Sequence, residues 1–267
     1  MRELCVSKLT QSPQDMEKSN QMWNKRAKEF AANMKTEGQD PYMEFLKKQV
    51  DLNGKSILDV GCGAGKYMKL LLEEGAIVEG LEPSSEMVRE AKKYLGESGY
   101  DAEKIAFHVE SFQDFSPQKP YDYVFISNNP VISYYESYDK ILKLAKQGIF
   151  IGSWMGNKDS LLEKVSQKLG VKAKGHGSQN IRYIFELLFE DGYYPSFDTY
   201  VQRSVKEVAP ESLYQRYASW FYGAEYTEKE VQAVKTALAE YIVKNKVVTE
   251  VSSTQGMLFV DLKKRLD

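Results

Sequence analysis

The chain has 267 residues, of which 42% are hydrophobic and 28% charged, the proportions of an ordinary water-soluble globular protein rather than a disordered or fibrous one. Its 36 basic and 38 acidic side chains leave a formal net charge of −2, too weak a positive field to gather phosphate backbones, so small molecules or proteins come before nucleic acid as partners. Cys5 and Cys62 cannot make a disulfide framework, no Cys/His cluster suggests a metal, and no run of about 18 apolar residues reads as a membrane span.

Residues 1 to about 50 read as polar helices, with Met22, Trp23, Ala27, Phe30 and Met34 at helical spacing. Asp40-Pro41 opens a short helix over 42–50, and Asn53-Gly54 turns the chain into a strand at 55–60. A helix at 67–72 and a strand at 76–81 follow. The next helix, 84–95, starts where Ser84 or Ser85 can cap its free N–H groups. Strand 105–109 ends at Glu110-Ser111-Phe112, and strand 121–127 ends at Asn128-Asn129-Pro130. A helix at 135–145 returns to a strand at 148–152. Beyond it the spacing predicts helices over 159–169, 178–190, 210–222 and 227–245, and strands over 199–208 and 257–262 that complete the sheet as an antiparallel pair. Alternating strands and helices of this length predict an α/β fold, a doubly wound and mostly parallel sheet covered on both faces.

The central motif is the run Ile57-Leu58-Asp59-Val60-Gly61-Cys62-Gly63-Ala64-Gly65, an apolar strand turning through glycines into a helix. Gly61, Gly63 and Gly65 allow positive φ or a close backbone approach to a ligand. Glu82 ends the adjoining strand, where one carboxylate can accept hydrogen bonds from both hydroxyls of a ribose. A dinucleotide fingerprint, G-x-G-x-x-G, requires glycine or alanine where Lys66 stands, so a nicotinamide-dependent oxidoreductase is set aside. The pattern present, D-x-G-x-G-x-G, resembles motif I of the class I S-adenosylmethionine (AdoMet)-dependent methyltransferases of the small-molecule type. The resemblance is carried by motifs over about residues 50–155 and by element order alone from 156 onward.

The resemblance implies a Rossmann-like sheet of seven strands with the last inserted antiparallel, and AdoMet as cofactor. It divides the chain into an N-terminal helical lid segment, 1–50, and an AdoMet-dependent methyltransferase domain, 51–267, with helical insertions after 155. Asp59 falls near the amino group of the methionine moiety, with Gly61, Cys62 and Gly63 passing beneath it and Glu82-Pro83 at the ribose. The third strand tip falls where relatives recognise adenine, with Ser111 as the polar group and Phe112 against the ring. Met87 can cover the other ring face; for Phe112 and Met87 core packing is the competing reading. At the fourth strand tip, where methyl donor and acceptor meet, Ser127, Asn128 and Asn129 offer polar groups. Asn129-Pro130 is similar to the N-P-P-Y motif of base-methylating enzymes, but Val131 and Ile132 depart from it, which discounts base N-methylation. Asn128 is then either a cofactor or substrate contact or a turn residue bonded to its own backbone.

Trp23-Asn-Lys-Arg26-Ala27 with Phe30 is similar to a W-x-x-R-A segment ahead of motif I in small-molecule methyltransferases, where it closes over the cofactor. Arg26 can pair with the methionine carboxylate, or the segment is an amphipathic helix on the sheet edge. No catalytic residue is identified: His108 reads as structural, and His176, in a loop, is the candidate base. The acceptor pocket is expected from the N-terminal helices and the insertions after 155. There Trp154, Tyr183, Tyr193, Tyr194, Tyr214, Tyr217, Trp220, Phe221 and Tyr222 either line it or form a second core. The expectation is methyl transfer from AdoMet to a small-molecule acceptor, by a cytoplasmic monomer or homodimer without metal. The alternatives are a non-catalytic AdoMet-binding regulator or scaffold and a tRNA or rRNA methyltransferase.

Overall fold

Four consecutive residues of the run Ile57-Leu58-Asp59-Val60 are buried, and they make β1 (Ser56–Val60) an inner strand of the sheet. The computed structural model describes residues 1–9, 16–34, 38–172, 178–223 and 226–265. β1 pairs in parallel with β2 (Ile77–Leu81) on one side and β4 (Tyr121–Ser127) on the other. β3 (Phe107–His108) lies beyond β2, and β5 (Ala145–Asp159) beyond β4, both parallel. With β6 (Ser196–Val208) and β7 (Val247–Asp261) the order is β3-β2-β1-β4-β5-β7-β6. The strand that comes last in sequence therefore sits inside the edge strand, and the sheet is mixed, with one antiparallel strand pair.

Parallel neighbours need crossovers, and helices provide them. α1 (Arg2–Leu9), α2 (Met16–Ala32) and α3 (Pro41–Gln49) precede the sheet. α4 (Lys66–Glu73) links β1 to β2, α5 (Ser85–Glu97) links β2 to β3, and α6 (Glu136–Leu144) links β4 to β5. The core between them holds Tyr42, Phe45, Met68, Leu71, Leu95, Phe125 and Phe150, with the last two rings stacked at 4.6 Å.

The chain forms two compact units. The first comprises Met1–Ser153, Gln179–Asp198 and Gly256–Asp267; the second comprises Trp154–Ser178 and Thr199–Gln255. α8 (Asn180–Glu190) belongs to the first unit, where Arg2 of α1 pairs with Asp191 just beyond its end. In the second unit α7 (Ser160–Leu169), α9 (Glu211–Tyr222) and α10 (Glu228–Leu238) pack Val165, Leu213, Tyr217, Val234 and Leu238 together.

Four elements differ from the sequence expectation. β5 and β7 each run for 15 residues, well beyond the strands expected at 148–152 and 257–262. β3 is only two residues long. The helix expected over 227–245 stops at Leu238, followed by a 3-10 turn at Ala239–Tyr241. Lys244 and Asn245 both adopt positive φ, +48° and +59°, a left-handed pair that turns the chain, through a Val243–Lys246 bridge, into β7. No helix among the described residues is long and apolar enough to cross a membrane.

Candidate cofactor and acceptor site

The glycine turn is the hinge of the site. Gly61, Gly63 and Gly65 take φ of +74°, +52° and +85°, a region that side chains oppose. The N–H groups of Gly61 and Cys62 both donate to the Leu81 carbonyl, at 2.7 and 3.2 Å, and fasten the turn to the end of β2. A Cβ on Gly61 would stand 1.7 Å from Asn129 Nδ2, so this glycine makes room for the side chain of a neighbouring strand tip.

Glu82 follows β2 and is buried. Its Oε2 accepts the Gly63 N–H at 3.1 Å and its Oε1 accepts the Ser84 N–H at 3.0 Å. Burial raises the carboxyl above its usual range, and these two hydrogen bonds oppose the rise. The Ser84 hydroxyl caps α5 by accepting the Met87 N–H at 3.1 Å, and it donates to Asn24 Oδ1 at 2.7 Å. Asn24 also accepts the Glu86 N–H, so α2 is fastened across the start of α5.

A cavity of about 630 Å³ opens along the strand tips, within the range of small-molecule sites. Following the sheet order, it meets Phe112 and Gln113 after β3, Glu82 and Pro83 after β2, Gly61 to Gly63 after β1, and Ser127 to Asn129 at β4. Met87 of α5 adds to its wall, and Ser19, Trp23 and Phe30 of α2, followed by Asn33 and Met34, cover it. Near the β4 tip, Tyr67 packs on Tyr42 at 5.8 Å and Phe125 at 5.0 Å. Its hydroxyl lies 3.4 Å from Asp40 Oδ2, and burial pushes the phenol well above its ordinary range. Lys66 Nζ donates to the same Asp40 oxygen at 2.6 Å. Asn128 sits at φ +49°, with its N–H on the Gly152 carbonyl at 2.8 Å and its Oδ1 accepting from Tyr42 at 3.4 Å. Asn129 Oδ1 accepts the Val131 N–H at 2.9 Å and caps the turn Pro130–Ser133.

Of the residues singled out by sequence, Trp23, Gly61, Cys62, Gly63, Glu82, Pro83, Met87, Phe112 and Asn128 line this cavity. Asp59, Arg26 and Ser111 do not. Asp59 is 1% exposed beneath the turn, with Oδ2 unpartnered; burial and the nearby charge of Glu82 push its carboxyl up to about 8. The Arg26 guanidinium lies 5.5 Å from the Trp23 ring centre on the solvent side, near Glu29. Ser111 donates to Asp114 at 2.6 Å instead of facing the cavity. Lys66, Tyr67, Asn33, Gln113 and Tyr134 were not anticipated as lining residues. The signal for the first two was their place directly after the third glycine.

His108 bonds Glu79 at 2.8 Å and packs at a tilt against Phe115, a structural setting; His176 lies outside the described residues. None of the aromatics singled out after residue 153 is among the lining residues. Tyr217 and Phe221 are buried in the second unit's own core, and Tyr193 lies under Arg265. Among the described residues no group of His, Cys, Asp and Glu side chains could hold a metal ion.

Residues 57–148 match a protein family described as a methyltransferase domain. The match covers the stretch that holds the glycine turn and strands β1 to β4, so this part of the chain is similar to a methyltransferase domain. Over 78 residues the chain is 28% identical to the ubiquinone biosynthesis O-methyltransferase of Xylella fastidiosa (strain 9a5c), covering 29% of this chain and 30% of that protein. Over 77 residues it is 38% identical to the ubiquinone biosynthesis O-methyltransferase of Coxiella burnetii (strain Dugway 5J108-111), covering 27% and 33%. The similarity thus spans about a third of the length of these relatives. The crystal structure of the YcgJ protein of Bacillus subtilis shares the fold at a TM-score of 0.50 and 13% identity, over 85% of this chain and 99% of that one.

Proposed function

We propose that the protein binds AdoMet in this cavity and transfers its methyl group to a small-molecule acceptor, as a cytoplasmic enzyme. The observation that carries the reading is Glu82: a buried carboxylate at the wall of a ligand-sized cavity, each oxygen held by one backbone N–H and keeping further acceptor capacity for one hydroxyl of a ribose. The residues around it fit the remainder of the cofactor. Phe112 and Met87 offer apolar faces for adenine, and with Ser111 bonded to Asp114 the polar partner at that end is the amide of Gln113. The turn Gly61 to Gly63 carries the methionine moiety, with the unpartnered Asp59 oxygen beneath it. α2 acts as the lid, its Trp23 and Phe30 excluding water.

Bound AdoMet supplies an electrophilic sulfonium methyl. What the chain supplies is positioning and dryness, which is the larger part of the task for an in-line transfer. Asn128 and Asn129 orient groups at the β4 tip, where donor and acceptor meet. Tyr67, its phenol held protonated by burial, can donate a hydrogen bond there but cannot accept a proton. Among the described residues Glu82 is the sole carboxylate that lines the cavity, and it is committed to the ribose. An acceptor that brings its own nucleophilicity suits such a wall. The relatives named above make an oxygen acceptor the first to try, and an ionised hydroxyl would need no base.

Calorimetric titration with AdoMet and S-adenosylhomocysteine, with NAD(H) and NADP(H) as controls, tests the cofactor reading. Saturable binding of the adenosyl-sulfur ligands alone is the expected result. Folded, ligand-free protein that binds none of them overturns it. Labelled AdoMet with a panel of hydroxylated and amine acceptors then tests transfer.

A further inference from the structure

The cavity reads as a line along the strand tips. Sheet order places Phe112 after β3, Glu82 after β2, Gly61 to Gly63 after β1, and Ser127 to Asn129 at β4. If ribose occupies the β2 tip and adenine the β3 tip, the methionine moiety extends past β1 toward β4, and its carboxylate ends at the far side of the line. That end holds one cation. Among the described residues, Lys66 and Glu82 are the only charged side chains that line the cavity, and Glu82 is assigned to the ribose.

We propose that Lys66 receives the α-carboxylate of the cofactor's methionine moiety. Its ammonium lies on the ligand side of the first turn of α4, where the structure positions it twice over: Asp40 accepts one of its three N–H donors at 2.6 Å, and the Tyr67 ring lies 4.9 Å below it. Asp40 is itself fixed, because its Oδ1 caps α3 by accepting the N–H groups of Tyr42 and Met43 at 3.0 and 3.3 Å. The Lys66 side chain is 25% exposed, so most of its length is packed and its end is held by Asp40. Two of its donors remain for a carboxylate. The negative charge of Asp40 does not bar an amino-acid ligand, since the α-ammonium and the sulfonium of AdoMet balance the added carboxylate. Arg26, the sequence candidate for this role, directs its guanidinium to the outer side of Trp23 beside Glu29 and is absent from the cavity wall.

The inference rests on the reading of the cavity as a cofactor site, and the test separates the two. The probes are S-adenosylhomocysteine, its decarboxylated analogue and 5′-methylthioadenosine, which keeps adenine, ribose and thioether but has no amino-acid group. They are titrated into wild type, Lys66→Met, Lys66→Arg and Arg26→Ala. The expected result is that Lys66→Met weakens S-adenosylhomocysteine roughly tenfold or more while both carboxylate-free ligands stay within about twofold. Lys66→Arg should recover most of the loss. Unchanged methylthioadenosine affinity also shows that the variant is folded around the adenosine end. Equal weakening of all three ligands overturns the assignment, as does no weakening of any, or a carboxylate-selective loss in Arg26→Ala instead. Wild type that binds none of the three removes the cofactor reading and this inference together.

Discussion

Each of the two units buries carboxylates, and the units treat them differently. In the second, Asp159 is saturated. Its Oδ1 accepts the N–H groups of Leu161 and Leu162, each at 3.0 Å, and the Thr249 hydroxyl at 2.5 Å, while Oδ2 accepts from Tyr217 at 2.8 Å. In the first, Glu82 takes one backbone N–H on each oxygen, and Asp59 leaves Oδ2 without any partner. A fold that needs a buried carboxylate for its own stability surrounds it with donors. On the proposed reading, Glu82, left with spare acceptor capacity at the cavity wall, takes its remaining partners from the cofactor. The same contrast appears in the aromatics, which in the second unit close on one another around Tyr217 and in the first leave Trp23, Phe30 and Phe112 facing open volume.

Paired substitutions give the strongest way to break this comparison. Asp159→Ala removes a double helix cap and two side-chain hydrogen bonds, and is expected to cost about 3 kcal/mol of stability in urea unfolding while leaving S-adenosylhomocysteine affinity unchanged. Glu82→Ala should do the reverse, with affinity falling roughly 100-fold in calorimetry and the unfolding midpoint little altered. If the two variants gave the same pattern, the distinction between structural and ligand-directed carboxylates would fail.

Glycines sharpen it next. Gly61→Ala places a methyl against the Asn129 amide at positive φ, with an expected loss of about 2 kcal/mol and weaker cofactor binding. Gly170, the left-handed cap of α7 in the second unit at φ +66°, has nothing within 4 Å of its would-be Cβ. Gly170→Ala should therefore cost only about 1 kcal/mol, and no affinity.

A smaller effect concerns pH. The Asp59 carboxyl is raised in the folded state from 3.8 to about 8, so the folded protein holds a proton that the unfolded chain releases. Its contribution to stability is fully present below about pH 4 and is lost as pH rises toward 8. Asp59→Asn should flatten that part of the profile, gaining on wild type by about 1.4 kcal/mol or more at pH 8 and by little at pH 4, as measured by chemical unfolding across the range. Tyr217→Phe, which removes one donor from Asp159, should cost about 1 kcal/mol, as little as Gly170→Ala.

Much of the first unit was legible in the sequence because its signals are local. β4 falls at Tyr121–Ser127, where the apolar run begins and ends, and α5 starts after Ser84, whose hydroxyl caps it. The glycine turn and Glu82 are separated by one strand-helix-strand passage, so their meeting follows from the parallel pairing of β1 with β2. The second unit was harder to read. β5 and β7 continue past their apolar stretches, through residues whose partners lie far away in sequence, and nothing local marks where such strands stop. The end of α10 was missed for a related reason: Ile242 and Val243 continue an apolar pattern past Leu238, where the helix stops.

The sequence by itself determined the class of fold and the glycine turn with its acid, because hydrophobic period and glycine placement act over a few residues at a time. Only the tertiary structure decided which polar groups face the cavity. Arg26 and Ser111 had the right chemistry at the right spacing, yet Trp23 and Asp114 hold them elsewhere. Lys66, noticed in the sequence for what it excluded, is brought to the cavity wall by an ion pair to Asp40, 26 residues away. A side chain's direction is set by the partners that packing brings to it, and those partners are not its neighbours in the chain.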